Sequence, residues 1–182
     1  MNLTGLKVAI LVADGFEQSE MVEPRKALQF LGAVVDIVSP EKDTVRSWKD
    51  KNWSEKFPVN VALALAKADD YHALLLPGGV MNPDTLRINH AAVAFVKKII
   101  EARKPIAAIC HGPWTLINAE GVKGKKMTSW PSLELDLTNA GAHWVDQEVV
   151  RDVNLVTSRK PDDIPAFNKA MIELFGATLQ KK

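Results

Sequence analysis

The chain has 182 residues, a length that suits one domain, and its 47% hydrophobic content is enough to bury a sizeable core. With 23 Lys+Arg against 22 Asp+Glu, the overall charge argues against a nucleic-acid backbone or an anionic membrane as partner and for a small or neutral one. A single cysteine excludes an internal disulfide and a structural zinc site built on paired cysteines.

The amino terminus, Met1 to Lys7, lacks a basic segment followed by an apolar signal core, so the chain reads as cytoplasmic. Lys7 to Val12 is short, β-branched and almost continuously apolar, as expected of a strand covered on both faces, and Asp14-Gly15 ends it. From Ser19 to Leu31, Met21, Val22, Ala27, Leu28 and Leu31 recur at helical spacing, with Gly32 as the stop. Val34 to Val38 reads as a second strand, completing a βαβ unit with parallel pairing. Glu41 to Pro58 is polar with isolated Val45, Trp48, Trp53 and Phe57, which predicts hairpin strands outside the main sheet. A buried strand at Ala73 to Leu76 runs into Pro77-Gly78-Gly79, and Ala91 to Ala102 is an amphipathic helix. Ile106 to Ile109 is the next strand, with Cys110 at its end and a helix opening at His111-Gly112-Pro113. Short strands near Val149-Val150 and Asn154 to Thr157 precede a closing helix from Ile164 to Phe175. The alternation predicts an open doubly wound α/β sandwich over residues 1–182, whose ligands bind outside the carboxyl ends of the strands.

Cys110 stands where such a sandwich exposes a nucleophile. Ala108 lies two residues before it and Gly112 two after, small neighbours that resemble the elbow holding a nucleophile between strand and helix. At a helix amino terminus the unpaired N–H groups favour the thiolate, so a lowered thiol pKa is expected. The alternative is a buried small hydrophobe, the commoner fate of a lone cysteine. Two features weigh against it. Glu17 follows the first strand and emerges at the same carboxyl edge, where it either donates a hydrogen bond to the thiolate when protonated or acts as general base when ionised. Gly78 and Gly79 follow another strand end, where backbone N–H groups meet a developing oxyanion without a side chain in the way. Glu20 and Glu23 read as solvated acids, and His111 as a base or an orienting group. Trp114 and Trp130 lie in segments that border the site, and no motif calls for a metal or another cofactor.

Together these segments resemble the ThiJ/PfpI superfamily, most closely its PfpI-like stress proteins. The resemblance rests on Ala13-Asp14-Gly15-Phe16-Glu17 with Glu20 and Pro24, Leu75-Leu76-Pro77-Gly78-Gly79, Ala108-Ile109-Cys110-His111-Gly112-Pro113-Trp114, Thr128-Ser129-Trp130-Pro131, the run from Asn139 to Asp146, and Thr157-Ser158-Arg159. It implies a flavodoxin-like sandwich with Cys110 as nucleophile, Glu17 as carboxyl partner, His111 beside it, and Gly79 with the His111 backbone as oxyanion donors. It also implies a homo-oligomer, a dimer or hexamer, in which an acid from a neighbouring subunit completes the triad. The matching position is Asp84, one residue further from Gly79 than in the family and Asp where the family has Glu.

The activities implied are protein deglycase, cofactor-independent glyoxalase and intracellular cysteine peptidase, all begun by thiolate attack on a carbonyl or a carbonyl-derived adduct. The leading expectation is stress-protective detoxification of methylglyoxal or its adducts, with a peptidase as runner-up. A redox sensor or chaperone-like stress protein, holding Cys110 as sulfinate, is the reading from a different class. A glutamine amidotransferase is disfavoured because His143 is followed by Trp144-Val145 and not by a His-x-Glu pair.

Overall fold

The first strand, β1 (Lys7–Leu11), shows why the apolar runs are continuous: Val8 and Ile10 point into one core and Ala9 and Leu11 into the other. The computed structural model describes residues 1–181. From β1 the chain passes through the two-residue β2 (Phe16–Glu17) and α1 (Gln18–Phe30) into β3 (Val34–Ser39), parallel to β1 with Val8 opposite Val35. β4 (Thr44–Lys49) and β5 (Asn52–Pro58) form the expected antiparallel hairpin outside the main sheet, and β2 joins β4 there.

The remaining elements mix strands and helices. They are β6 (Val61–Ala62), β7 (Ala73–Leu76), α2 (Met81–Ile88), α3 (His90–Glu101), β8 (Ile106–Ile109), α4 (Pro113–Asn118), β9 (Lys126–Met127), α5 (Glu134–Asn139), β10 (His143–Trp144), β11 (Val149–Asp152), β12 (Leu155–Ser158) and α6 (Ile164–Gly176). Among the described residues the main sheet has the order β11-β12-β8-β7-β1-β3-β6, with every pairing parallel except β11 on β12. Leu86, Phe95, Val96, Ile99, Leu116 and Leu137 cover one face; Met21, Leu28, Phe167, Met171 and Phe175 cover the other. This is the flavodoxin-like doubly wound class. The chain leaves β1 toward β3 on one side and resumes at β7 on the other, so the strand order reverses at β1 and β7 and a crevice opens above their carboxyl ends.

One helix departs from expectation. Met81–Ile88 is helical with Pro83 in its first turn, where a proline's missing N–H costs nothing. Asn89 then separates α2 from α3 by accepting a hydrogen bond from Ala92 N at 3.0 Å. No described helix is long and apolar enough to cross a membrane.

Candidate active site

Cys110 directly follows β8 and has φ 60°, the left-handed region that few non-glycine residues occupy. Three main-chain bonds hold it there: Cys110 N donates to Ser158 O at 3.0 Å, Trp130 N donates to Cys110 O at 2.9 Å, and Gly112 N closes the turn on Ile109 O at 2.9 Å. Because neighbouring elements fix both sides of the residue, the strain persists and the side chain is lifted out of the sheet. Its sulfur lies at the floor of a cavity of about 510 Å³, lined also by Glu17, Glu20, Trp48, Gly79 and Trp130.

The carboxyl that meets the thiol is Glu20, where Glu17 was expected. Glu17 ends β2, pairs with Trp48 of the hairpin, and turns its half-buried side chain toward Ser19 Oγ at 3.5 Å. It lines the cavity, and burial raises its proton affinity against the hydrogen bonds from Ser19. Glu20 lies in the first turn of α1, on the buried stripe with Pro24 and Leu28, and is fully enclosed. Its Oε2 accepts a hydrogen bond from Gly78 N at 2.9 Å. Burial pushes the Glu20 carboxyl up to about 8, with its hydrogen bond from Gly78 working the other way.

Gly78 and Gly79 divide the work expected of both. The Gly78 N–H is taken by Glu20, and its carbonyl accepts from Asn82 Nδ2 at 3.0 Å and Glu17 N at 3.3 Å, so Gly78 positions the carboxyl and does not serve the oxyanion. A Cβ on Gly78 would come 2.6 Å from Glu20 Oε2 and 2.7 Å from Cys110 Cβ, which shows how closely the two side chains converge on it. Gly79, at φ 73°, and His111 present their backbone N–H groups to the Cys110 sulfur. These donors favour the thiolate, as expected at the start of a helix, but α4 has six residues and burial outweighs them, pushing the Cys110 thiol up. A protonated Glu20 offsets that penalty, since it adds no charge beside the sulfur and can donate its own O–H.

His111 forms the other flank. Its Nδ1 lies 3.2 Å from Cys110 Sγ and its Nε2 3.5 Å from Ser132 Oγ. Burial pushes the imidazole down to about 4, so it is neutral at physiological pH. Trp130 stacks on the ring at 6.1 Å and Trp114 meets it edge-on at 5.1 Å. Trp114 packs behind the histidine, its Nε1 bonded to Asp136 Oδ2 at 2.8 Å, and Trp130 takes the cavity wall expected of it. Asp84 is exposed on α2 and does not line this cavity, and among the described residues no carboxylate bonds to His111. Sequence reasoning missed Glu20 and Ser132. The spacing of Glu20, Pro24 and Leu28 at intervals of four was a usable signal for the first; Ser132 is 21 residues from His111 and had none.

A nucleophile elbow above the switch point of a doubly wound sheet, with a buried carboxyl against the sulfur, defines a class of cysteine-centred α/β proteins. Within that class the chain belongs to the DJ-1/PfpI family, whose model matches residues 6–174. It is 42% identical to general stress protein 18 of Bacillus subtilis over 93% of this chain and 98% of that protein. It is 40% identical to protein/nucleic acid deglycase 2 of Escherichia coli over 94% of this chain and 98% of that one. A second Bacillus subtilis relative, named "Putative cysteine protease YraA", is 42% identical over 92% of this chain and 97% of its own. The crystal structure of Drosophila melanogaster DJ-1beta superimposes with a TM-score of 0.84 at 26% identity, covering 100% of this chain and 95% of the other.

Proposed function

We propose that the protein is a cysteine-dependent hydrolase of small dicarbonyls and their adducts, acting as a deglycase or glyoxalase toward methylglyoxal. The observation that carries this reading is the surround of the Cys110 sulfur: the N–H groups of Gly79 and His111 on one side, the buried Glu20 carboxyl on the other, and His111 Nδ1 at 3.2 Å. A relative named as a deglycase supports it.

In the reaction, His111 Nδ1 accepts the thiol proton and the sulfur adds to the aldehyde carbon. The C=O π pair moves onto oxygen, which the Gly79 and His111 N–H groups stabilise. His111 returns its proton to that oxygen, giving a hemithioacetal. His111, neutral again, takes the C1 proton while the protonated Glu20 gives its own to the C2 oxygen, forming an enediol; the Glu20 carboxylate then takes the C1 hydroxyl proton as His111 delivers its proton to C2, which leaves a thioester on Cys110. Water hydrolyses the thioester to lactate and the free thiol, so the net change is methylglyoxal plus water to lactate, with no oxidant or reductant consumed. Asp84, exposed on α2, is placed in this reading as the acid that one subunit of a homo-oligomer offers to its partner's histidine.

The test is turnover of methylglyoxal and of a methylglyoxal-derived thiohemiacetal by the wild type and by Cys110→Ser, Glu20→Gln and Glu17→Gln. Activity lost in the first two and largely retained in the third supports the proposal. Wild-type turnover no faster than a free-thiol control overturns it.

A further inference from the structure

At the end of the sheet opposite Cys110, where β8 and β12 begin, a second cavity of about 490 Å³ lies between the last residues of α3 and α6. Ile100, Pro105, Leu174 and Ala177 contribute an apolar floor, and Arg103, Lys125 and Arg151 border it. No acidic residue lines this cavity, and none of the three cationic side chains has an ion pair or hydrogen bond among the described residues. The nearest acid in sequence, Asp152, is committed elsewhere: its Oδ2 accepts from Lys126 N at 2.7 Å.

Cations near helix carboxyl ends ordinarily complement the exposed carbonyls. That account does not cover these three, because none of them bonds a terminal carbonyl, whereas neighbouring Lys104 does bond a main-chain oxygen, Ala68 O, at 2.8 Å. Val153 adds a second anomaly on the same rim. It is a β-branched residue at φ 51° and 78% exposed, so its apolar side chain gains little from folding. Like charges gathered around an apolar floor are mutually repulsive, and an anion between them relieves the repulsion while its body covers the floor. The volume falls within the range of small-molecule sites.

We propose that this cavity binds a small amphiphilic anion, a carboxylate or phosphate on an apolar chain, with Arg103, Lys125 and Arg151 on the headgroup and Ile100, Val153 and Leu174 on the body. The site is separate from the Cys110 cavity and its occupancy is independent of the proposed reaction.

Calorimetric titration of full-length protein, first alkylated at Cys110 with iodoacetamide to fill the catalytic cavity, tests the assignment. Octanoate and octyl phosphate are the amphiphilic probes; octan-1-ol, acetate and inorganic phosphate are the controls that carry only one half of the chemistry. Saturable one-to-one binding of an amphiphile, about tenfold or more tighter than any control and weakened by salt, is expected. The tighter of the two amphiphiles identifies the headgroup. Arg103→Gln with Arg151→Gln, both at exposed positions, should weaken it about tenfold, and Ala177→Phe should block it by filling the floor with the charges intact. No saturable binding of either amphiphile, equal binding of a control, or binding unchanged in the folded charge variant overturns the proposal.

Discussion

The two flanks of Cys110 are built differently. On the Glu20 side everything is internal to the chain: a helix stripe buries the carboxyl, the Gly78 N–H holds it, and the adjoining peptide aims its N–H at the sulfur. On the His111 side the ring rests on two tryptophans, and among the described residues its outer nitrogen reaches only Ser132 Oγ, at the long distance of 3.5 Å. The first flank is a main-chain device, rigid because the sheet is rigid. The second is a side-chain device with a neutral base and, among the described residues, no acid bonded to it. The contrast is that one nucleophile is served by a support held through main-chain bonds and by another held through ring stacking and a single long side-chain contact.

The largest expected effect therefore lies on the carboxyl flank. Glu20→Gln keeps the acceptor for the Gly78 N–H but removes the transferable proton, and kcat/KM toward methylglyoxal should fall about 10²–10⁴-fold. Glu17→Gln should cost less than about tenfold, because that side chain lines the cavity without meeting the sulfur. Equal losses in the two variants would break the distinction between them. Next comes Gly78→Ala, whose new Cβ would press on Glu20, on Cys110 and, at 2.9 Å, on His111 N. It should destabilise the fold by about 1–3 kcal/mol in urea titrations and reduce turnover together with stability. An alanine tolerated at full activity would show the carboxyl flank to be less rigid than described.

The flanks also oppose each other in their dependence on pH. The folded chain holds a proton on Glu20 up to about 8 while the unfolded chain releases it near 4.5, so this group makes stability fall as pH rises through that window. His111 is pushed from 6.5 to about 4, so the unfolded chain holds the extra proton between those values and stability rises with pH there. The slopes offset one another up to roughly pH 6.5, leaving Glu20 alone to lower stability by about 2 kcal/mol between pH 6.5 and 8. Chemical denaturation across this range should show the decline in the wild type and its absence in Glu20→Gln. A decline that survives in the variant would assign the proton to another group.

What the sequence made legible follows the same division. β1, β7 and β8 were readable because a strand buried on both faces is an almost unbroken apolar run, and Cys110 was readable because it stands between the strand end at Ile109 and the helix-opening His111-Gly112-Pro113. Glu20 was misread because the apolar stripe was begun at Met21; a carboxyl on the buried face looks like the solvated side until its burial is known. α2 escaped because eight residues with an internal proline give too little periodicity. Ser132 escaped because its approach to His111 depends on the main-chain bond from Trp130 to Cys110, a tertiary contact without a local signature.

The smallest effect expected is the most informative about the histidine flank. A neutral imidazole carries one N–H, and its place decides whether Nδ1 can accept the thiol proton. Ser132 Oγ can accept from Nε2–H, leaving Nδ1 free to face Cys110 Sγ at 3.2 Å, which makes Ser132 a positioning residue. Loss of one such hydrogen bond is worth about 0.5–1.5 kcal/mol, so Ser132→Ala should slow iodoacetamide alkylation of Cys110 about two- to tenfold near neutral pH. It should also shift the pH profile of alkylation, and Ser132→Thr should restore both. A role confined to packing would alter thermal stability without moving that profile. If alanine leaves rate and profile unchanged, stacking by the two tryptophans is sufficient to orient His111, and an acid brought by a second subunit becomes the natural candidate for its outer nitrogen.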